Sequence, residues 1–321
     1  MEDVKLRRNN SQQLAFRWAT LGRMHQTKGK REATVVQLQK GEAKPPIYFI
    51  NAGPAEYVLA QLMGEDRSIF GIEVPWPLPW VKACADKQTY ALPNMQEFAG
   101  PFVAELISHT RFSACVLAGF SFGGLIAFEV AHQFQQQGGN VNMVMLLDTP
   151  VKYLNLSQLE WQRWCRDWRE ALRALYSNQN SQSSRSRLRR SWHILTRMLA
   201  KDTRLLAHLV KNLTLAPADR GELTAMVDEH GAPIRWEIIS RLYANLAKSY
   251  DPRRLDCQGI LFRPDLEYQK SARGWEGLFS RGFEIIPVTG DHVTMIRKEP
   301  HILKLAHEMK EVVNRFSNKP T

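Results

Sequence analysis

The sequence has few cysteines, no long apolar run and a deficit of acidic side chains. Its four cysteines are scattered over 321 residues without paired spacing, and no cysteine–histidine cluster has the spacing of a metal site. We therefore expect a reduced, cytoplasmic setting, with no disulfide framework and no bound metal. No window is long and apolar enough to span a membrane. Glu2 and Asp3, without an apolar stretch behind them, argue against a signal peptide.

The charge balance favours acidic partners. Lysine and arginine number 43 against 32 aspartates and glutamates, which gives a formal net charge of +11. Such a surplus suits nucleic acids, anionic lipids or acidic proteins, or serves only solubility. Because the sequence has neither zinc-finger spacing nor an aromatic–basic RNA-binding motif, we expect no nucleic-acid partner. Apolar residues make up 44% of the chain, which is enough for a substantial core.

Short apolar runs alternate with helical patterns in the first half of the chain. Asn94 precedes apolar positions at helical spacing from Met95 to Ile107, which predicts a capped helix. The strands read as nearly continuous apolar runs, which is typical of a sheet covered on both faces. The sequence therefore predicts an α/β fold with a mostly parallel sheet. The predicted strands are 35–38, 47–50, 68–74, 114–118 and 141–147, followed after a long interval by 258–262 and 283–287.

The pattern divides the chain into four segments. Residues 1–33 are polar and basic and form an extension, either a short amphipathic helix or a disordered tail. Residues 34–150 and 251–321 form the two parts of the α/β core. Between them, residues 151–250 show helical patterns only and interrupt the core. An insertion of this length is usually functional, so we interpret it as a helical lid.

Two features of the predicted lid each have two interpretations. Trp161, Trp164 and Trp168 lie at helical spacing, which is typical of core packing and also fits the lining of a channel. The run from Arg185 to Lys211 has eight basic residues and one acid. It is either a solvated helix face or a docking surface for an acidic protein.

The stretch Gly119-Phe120-Ser121-Phe122-Gly123 follows an apolar strand and precedes a helical pattern. Strand, G-x-S-x-G and helix in this order is the layout of a nucleophile elbow. The sharp turn exposes the serine hydroxyl in a strained backbone conformation, and side chains two residues away on either side would clash. Ser121 is therefore the candidate nucleophile.

A serine hydroxyl needs a base, and the base needs an orienting acid. His292 lies in the loop after the last predicted strand, at the sheet edge that also carries Ser121. For the acid, two candidates stay open: Asp148 ends the strand that follows the elbow helix, and Asp265 follows the next strand. Asp291 is adjacent to His292 and would have to curl back to reach it, so we discount it.

An oxyanion hole needs two N–H groups near the serine. One is expected from Phe122, the residue after the nucleophile. The other is expected from the loop after residues 47–50, where Pro54 has no N–H to offer. Gly53 is the preferred second donor, with Ala55 or Ala52 as the alternatives.

Four segments in this order resemble the thioesterase domains of nonribosomal peptide synthetases, polyketide synthases and fatty-acid synthases. They are residues 46–53, 117–124, 146–150 and 290–295. The resemblance implies an α/β-hydrolase fold and a triad of Ser121, Asp148 and His292, which favours Asp148 over Asp265. Many members of the family carry histidine where this chain has Asn51.

The resemblance also implies a substrate and a partner. The substrate is an acyl, polyketide or peptidyl chain on phosphopantetheine, presented by a carrier protein or as acyl-CoA, and no cofactor is expected. The acyl-serine is then resolved by hydrolysis or by cyclisation. Two alternatives use the same residues: a carboxylic ester hydrolase with the same triad, and a non-catalytic scaffold of this fold that binds an acyl ligand.

Overall fold

The computed structural model describes residues 33–41, 45–151, 226–232, 234–265 and 274–317. Within these residues, a sheet of seven strands has the spatial order β1-β3-β2-β4-β5-β6-β7. Strand β1 is antiparallel to β3, and the other neighbouring pairs are parallel. The predicted mostly parallel sheet is thus confirmed. The strands are β1 Thr34–Gln39, β2 Ile47–Ile50, β3 Ile69–Glu73, β4 Cys115–Phe120, β5 Val141–Leu147, β6 Gln258–Pro264 and β7 Phe283–Val288.

Helices cover both faces of the sheet. Alternate side chains of the central strands point to opposite sides, and because they are apolar on both sides, both faces must be buried. In β2, Ile47 and Phe49 belong to one core layer and Tyr48 and Ile50 to the other. The first layer packs under α1 and α7, and the second under α3, α4 and α5. The described helices are α1 Pro54–Met63, α2 Leu78–Ala85, α3 Met95–Thr110, α4 Phe122–Gln136, α5 Trp236–Ser249, α6 Thr294–Arg297 and α7 His301–Ser317.

Helix α3 begins where the sequence predicted. The Glu97 N–H donates to Asn94 Oδ1 at 2.8 Å, and the Asn94 N–H donates to Glu97 Oε2 at 3.0 Å. This reciprocal pair satisfies donors that the first turn of a helix otherwise leaves without a partner. The capped-helix prediction is confirmed.

The expectation of helices only from 151 to 250 is wrong for residues 226–232. They form a short extended segment, which makes a parallel β-bridge with Trp76, and then a turn. The Trp76 N–H donates to the Val227 carbonyl at 3.0 Å, and the Glu229 N–H donates to the Trp76 carbonyl at 2.9 Å. Asp228 Oδ1 then accepts the N–H groups of His230 and Ala232, both at 2.9 Å. Aspartate commonly closes turns in this way, and such local bonds compete with helix formation.

The chain divides into two compact units, Met1–Tyr153 with Thr224–Thr321, and Leu154–Leu223. The second unit lies outside the described residues, and so do the tryptophan stripe and the basic run of the predicted lid. The predicted extension 1–33 also lies outside them, except for Ala33. Helix α5 falls within the range 151–250 of the predicted insertion, but it belongs to the first unit, and its Ile239, Leu242 and Leu246 are buried in the core of that unit. No helix in the described parts is long and apolar enough to cross a membrane.

Candidate active site

The polar residues singled out in the sequence meet at one edge of the sheet. Asn51 follows β2, Ser121 follows β4, Asp148 follows β5, and His292 lies in the loop after β7. These four strands are parallel to one another through the sheet, so their carboxyl ends share an edge. Open α/β sheets place their ligand sites at that edge.

Ser121 sits in a strained turn between β4 and α4. Its backbone has φ 54° and ψ −122°, a region that residues with a side chain rarely adopt. Two bonds hold the turn to the neighbouring strand end: the Ser121 N–H donates to the Leu147 carbonyl at 2.8 Å, and Thr149 Oγ1 donates to the Ser121 carbonyl at 2.9 Å. Strain of this kind costs about 1 to 3 kcal/mol and persists only where the surroundings enforce it.

The glycines of the elbow are required by close backbone approach. A Cβ at Gly119 would overlap the backbone of Gly123, and a Cβ at Gly123 would lie 3.0 Å from the Ile50 carbonyl oxygen. A Cβ at Gly124 would overlap Thr149. The sequence argument for glycine on either side of the serine therefore agrees with the packing.

Gly119→Ala is expected to destabilise the protein by more than about 3 kcal/mol, because the new methyl group meets backbone that has no room to move. Gly100→Ala is the matched control, since a Cβ there meets nothing within 4 Å in the middle of α3. That control should stabilise by about 0.5 to 1 kcal/mol. Urea unfolding of both variants measures the difference, and equal midpoints would contradict the packing argument.

The His292 imidazole is bonded to a fully buried carboxylate. His292 Nδ1 and Asp148 Oδ2 are 2.6 Å apart, with the aspartate side chain at 0% exposure and the histidine side chain at 38%. A carboxylate only accepts, so Nδ1 donates and Nε2 keeps its lone pair. The ring of Phe120 stacks on the imidazole with centroids 4.8 Å apart. Asp148 itself is held by its N–H, which donates to the Phe262 carbonyl at 2.9 Å.

The two other acids near His292 bind backbone instead. Asp265 Oδ1 accepts the Gly290 N–H at 3.0 Å, two residues before the histidine. Asp291 Oδ1 accepts the N–H groups of Val293 and Thr294 at 2.9 and 2.8 Å, in the turn that leads into the short helix α6. The structure thus brings His292 to Asp148 and gives Asp265 a bond to the loop that carries the histidine.

The expected second oxyanion donor is engaged elsewhere. The Gly53 N–H donates to Glu56 Oε2 at 2.9 Å, and the Asn51 N–H donates to the Ile72 carbonyl at 3.0 Å. The Glu56 carboxyl competes with an oxyanion for the hydrogen bond of this N–H, which disfavours Gly53, and the assignment of the second donor stays a prediction. Of the two alternatives, Ala55 lies in the first turn of α1, and the buried Ala52 lies in the loop between Asn51 and Gly53. The sequence carried a signal for this bond, since glutamate three residues after a helix cap commonly binds back to it.

Burial raises the pKa of the Glu56 carboxyl above its ordinary value of 4.5, against the opposing effect of the Gly53 N–H. The folded state therefore holds this proton at a pH where the unfolded state has lost it, and stability falls as pH rises through that interval. Glu56→Gln keeps an oxygen for the Gly53 N–H and removes the titration. In urea unfolding, we expect its free energy of unfolding to increase relative to that of the wild type as pH rises above the ordinary glutamate pKa of 4.5. A difference that does not change as pH rises above 4.5 would contradict the raised pKa.

Tyr243 is a site residue that sequence reasoning missed. Asn51 Nδ2 donates to its hydroxyl at 3.1 Å, and its ring stacks on Phe122. In the sequence it reads as one more apolar position on α5, near Ile239 and Leu246. No local pattern distinguishes it from ordinary core. Among the described residues, no group of three or more histidines, cysteines or carboxylates is arranged to hold a metal ion.

Comparison with known proteins assigns the chain to a family. The family model described as the thioesterase domain matches residues 78–309, which is most of the chain. The chain belongs to the thioesterase domain family. That membership implies a hydrolase, and the matched range of this thioesterase domain includes the elbow, Asp148 and His292.

The proteins to which this chain is similar include multidomain synthases and separate thioesterase domains. The thioesterase domain described here is 21% identical over 304 residues to the non-reducing polyketide synthase ntnG of Nectria sp, covering 89% of this chain but only 13% of that protein. A four-domain nonribosomal peptide synthetase, holo-AB3403, matches in structure with a TM-score of 0.54 at 18% identity, over 88% of this chain and 20% of that one. The NocB thioesterase domain matches with a TM-score of 0.52 at 16% identity, over 88% of this chain and 99% of that one. The structural matches show a shared α/β-hydrolase fold.

Proposed function

We propose that this protein releases an acyl, polyketide or peptidyl chain from a phosphopantetheine thioester through an acyl-serine intermediate. The observation that carries the proposal is the 2.6 Å contact between His292 Nδ1 and the buried Asp148 carboxylate, at the sheet edge where Ser121 occupies its strained turn. Membership of the thioesterase family supports the choice of a thioester as the bond that is broken.

In the acylation step, Ser121 Oγ attacks the thioester carbonyl and its proton passes to His292 Nε2. The tetrahedral intermediate collapses with loss of the thiolate sulfur, which takes the proton from Nε2 and leaves as a thiol. Water, or an amine or hydroxyl of the chain itself, then attacks the acyl-serine while Nε2 accepts its proton and returns it to Ser121. Asp148 orients the imidazole and stabilises its positive charge, at 0% exposure and therefore in a site of low dielectric.

The negative oxygen of the intermediate needs two N–H donors. In our proposal these are Phe122, at the first residue of α4, and Ala52, in the loop after β2. The position of Phe122 adds the favourable dipole of a helix N-terminus to its N–H. A single donor of this type contributes about 10²-fold to 10³-fold to kcat in related chemistry.

A carrier-bound substrate fits the setting of the similar proteins. The matched protein from Nectria is described as a polyketide synthase, and holo-AB3403 as a nonribosomal peptide synthetase. Such synthases hold their chains on phosphopantetheine, so a carrier protein is the partner that we propose, with acyl-CoA as the free form of the same thioester. No further cofactor is needed in this route.

A screen of acyl-CoA and acyl-N-acetylcysteamine thioesters, with products detected by mass, tests the proposal. Hydrolysis gives the free acid, and cyclisation gives a product lighter by one water. A matched oxygen ester that is turned over faster than its thioester would replace the proposal with a carboxylic ester hydrolase. Failure of a fluorophosphonate to label Ser121, together with no turnover, would leave only a binding scaffold.

A further inference from the structure

Tyr243 is buried against Asn51 and Phe122, on a helix that supplies none of the proposed catalytic groups. It is in the middle of α5, with 8% of its surface exposed. Among the described residues, two groups bond to its hydroxyl: Asn51 Nδ2 donates to it at 3.1 Å, and it donates to the sulfur of Met226 at 3.1 Å. Burial raises the pKa of this phenol, so the hydroxyl stays protonated at any pH at which the enzyme would be assayed.

The bond to Asn51 acts on one side of the hole. Asn51 has φ 58°, the left-handed conformation that turns the chain out of β2, and asparagine tolerates it better than most residues. Ala52 is the next residue, so the direction of its N–H depends on this turn. The Asn51 side chain is tied to Tyr243, and its backbone N–H is tied to the Ile72 carbonyl at 3.0 Å.

The ring of Tyr243 acts on the other side. It stacks on the ring of Phe122 with centroids 3.7 Å apart and planes at 10°. Phe122 is 2% exposed and opens α4 directly after the nucleophile. The Trp76 ring, 5.9 Å away, borders the tyrosine as well. One side chain thus contacts Phe122, which is one proposed donor, and Asn51, which directly precedes the other proposed donor.

We propose that Tyr243 is a positioning residue that fixes the spacing of the two oxyanion donors, Ala52 and Phe122. The inference rests on the proposed function, because it assigns a role within the same acyl-transfer site. The hydroxyl holds the Asn51 turn and the ring holds Phe122, so the two parts of the side chain have separable effects. Displacing a donor by a fraction of an ångström reduces the stabilisation of the transition state more than it reduces the binding of the substrate.

Tyr243→Phe separates the parts, since it keeps the stacked ring and removes the hydroxyl. We expect kcat for octanoyl-N-acetylcysteamine to fall about tenfold while KM stays within about twofold. Because the hydroxyl does not titrate in the assay range, the loss should be the same at each pH. Tyr250→Phe is the matched control: this buried hydroxyl donates to Glu129 Oε2 at 2.9 Å, away from the site. That variant should lower the melting temperature and leave kcat and KM unchanged.

The rate at which a fluorophosphonate labels Ser121 is the second readout, because the phosphoryl oxygen uses the same two donors. Tyr243→Phe should slow labelling by a similar factor. Asn51→Ala should slow it as well, and the double variant should be no slower than the slower single variant, since both act through one bond. Unchanged kcat and labelling in Tyr243→Phe, or effects of the two substitutions that multiply, would overturn the inference. If the wild type is labelled but turns over no thioester, the proposed substrate class fails, and the labelling rates still decide the role of Tyr243.

Discussion

Ser121→Ala should abolish thioester turnover, with kcat lowered by roughly 10⁵-fold to 10⁶-fold. Alanine removes the oxygen that forms the acyl-enzyme, and nothing else at this strand end takes its place in the proposed route. The backbone of the turn should persist, because its bonds to Leu147 and Thr149 involve main-chain atoms of Ser121. The melting temperature is therefore expected to change little.

The measurement is steady-state release of free thiol from octanoyl-CoA, with mass detection of an octanoyl adduct on the intact protein. Ser108→Ala, on the exposed surface of α3, is the control for loss of a serine hydroxyl and should keep wild-type rates. Turnover that survives in Ser121→Ala would refute the acyl-serine route, whatever the substrate screen finds.

Asp148→Asn should have the second-largest effect, a loss of about 10⁴-fold in kcat. The asparagine amide is nearly the same size as the carboxylate. If its NH₂ faces His292, it donates to Nδ1, which moves the imidazole proton to Nε2. A histidine in that tautomer has no lone pair facing the serine, and its positive form loses a buried negative neighbour.

Asp265→Asn is the matched comparison, because the same change is made at the alternative acid. Its oxygen keeps the bond to the Gly290 N–H, which a neutral amide accepts as well as a carboxylate does. We expect a loss of no more than about tenfold, arising from a shift of the His292 loop. Rates measured side by side decide the assignment: a larger loss at Asp265 than at Asp148 would make Asp265 the triad acid.

Much of the fold was predictable because its signals are local. Each central strand is a short apolar run. The start of α3 is capped by Asn94 and Glu97, which are three residues apart. The nucleophile elbow is also marked by a local motif, although only the contacts of Gly119 with Gly123 and Gly124 are local. Gly123 and Gly124 also approach Ile50 and Thr149 at the ends of other strands. The position of His292 after the last strand follows from the order of elements alone.

Residues far apart in sequence required the structure. Asp148 and Asp265 both end strands at the same edge, and only the packing of the loop after β7 gives Asp148 the contact with His292. The sequence predicted that the Gly53 N–H is available to an oxyanion, whereas in the structure it donates to the Glu56 side chain. Tyr243 stands 192 residues from Asn51 along the chain, and no periodicity marks it apart from its neighbours on α5.

By itself, the sequence determined the α/β class, the helix cap, the glycine-bounded serine turn and the candidate residues at the strand ends. These depend on side-chain periodicity and on backbone conformation, which act over a few residues. The tertiary structure decided which carboxylate meets the histidine, which N–H groups near the serine are already bonded, and that Tyr243 of α5 contacts both Asn51 and Phe122. Those outcomes depend on distances between segments that are fixed only when the strands are assembled and the two core layers close around them.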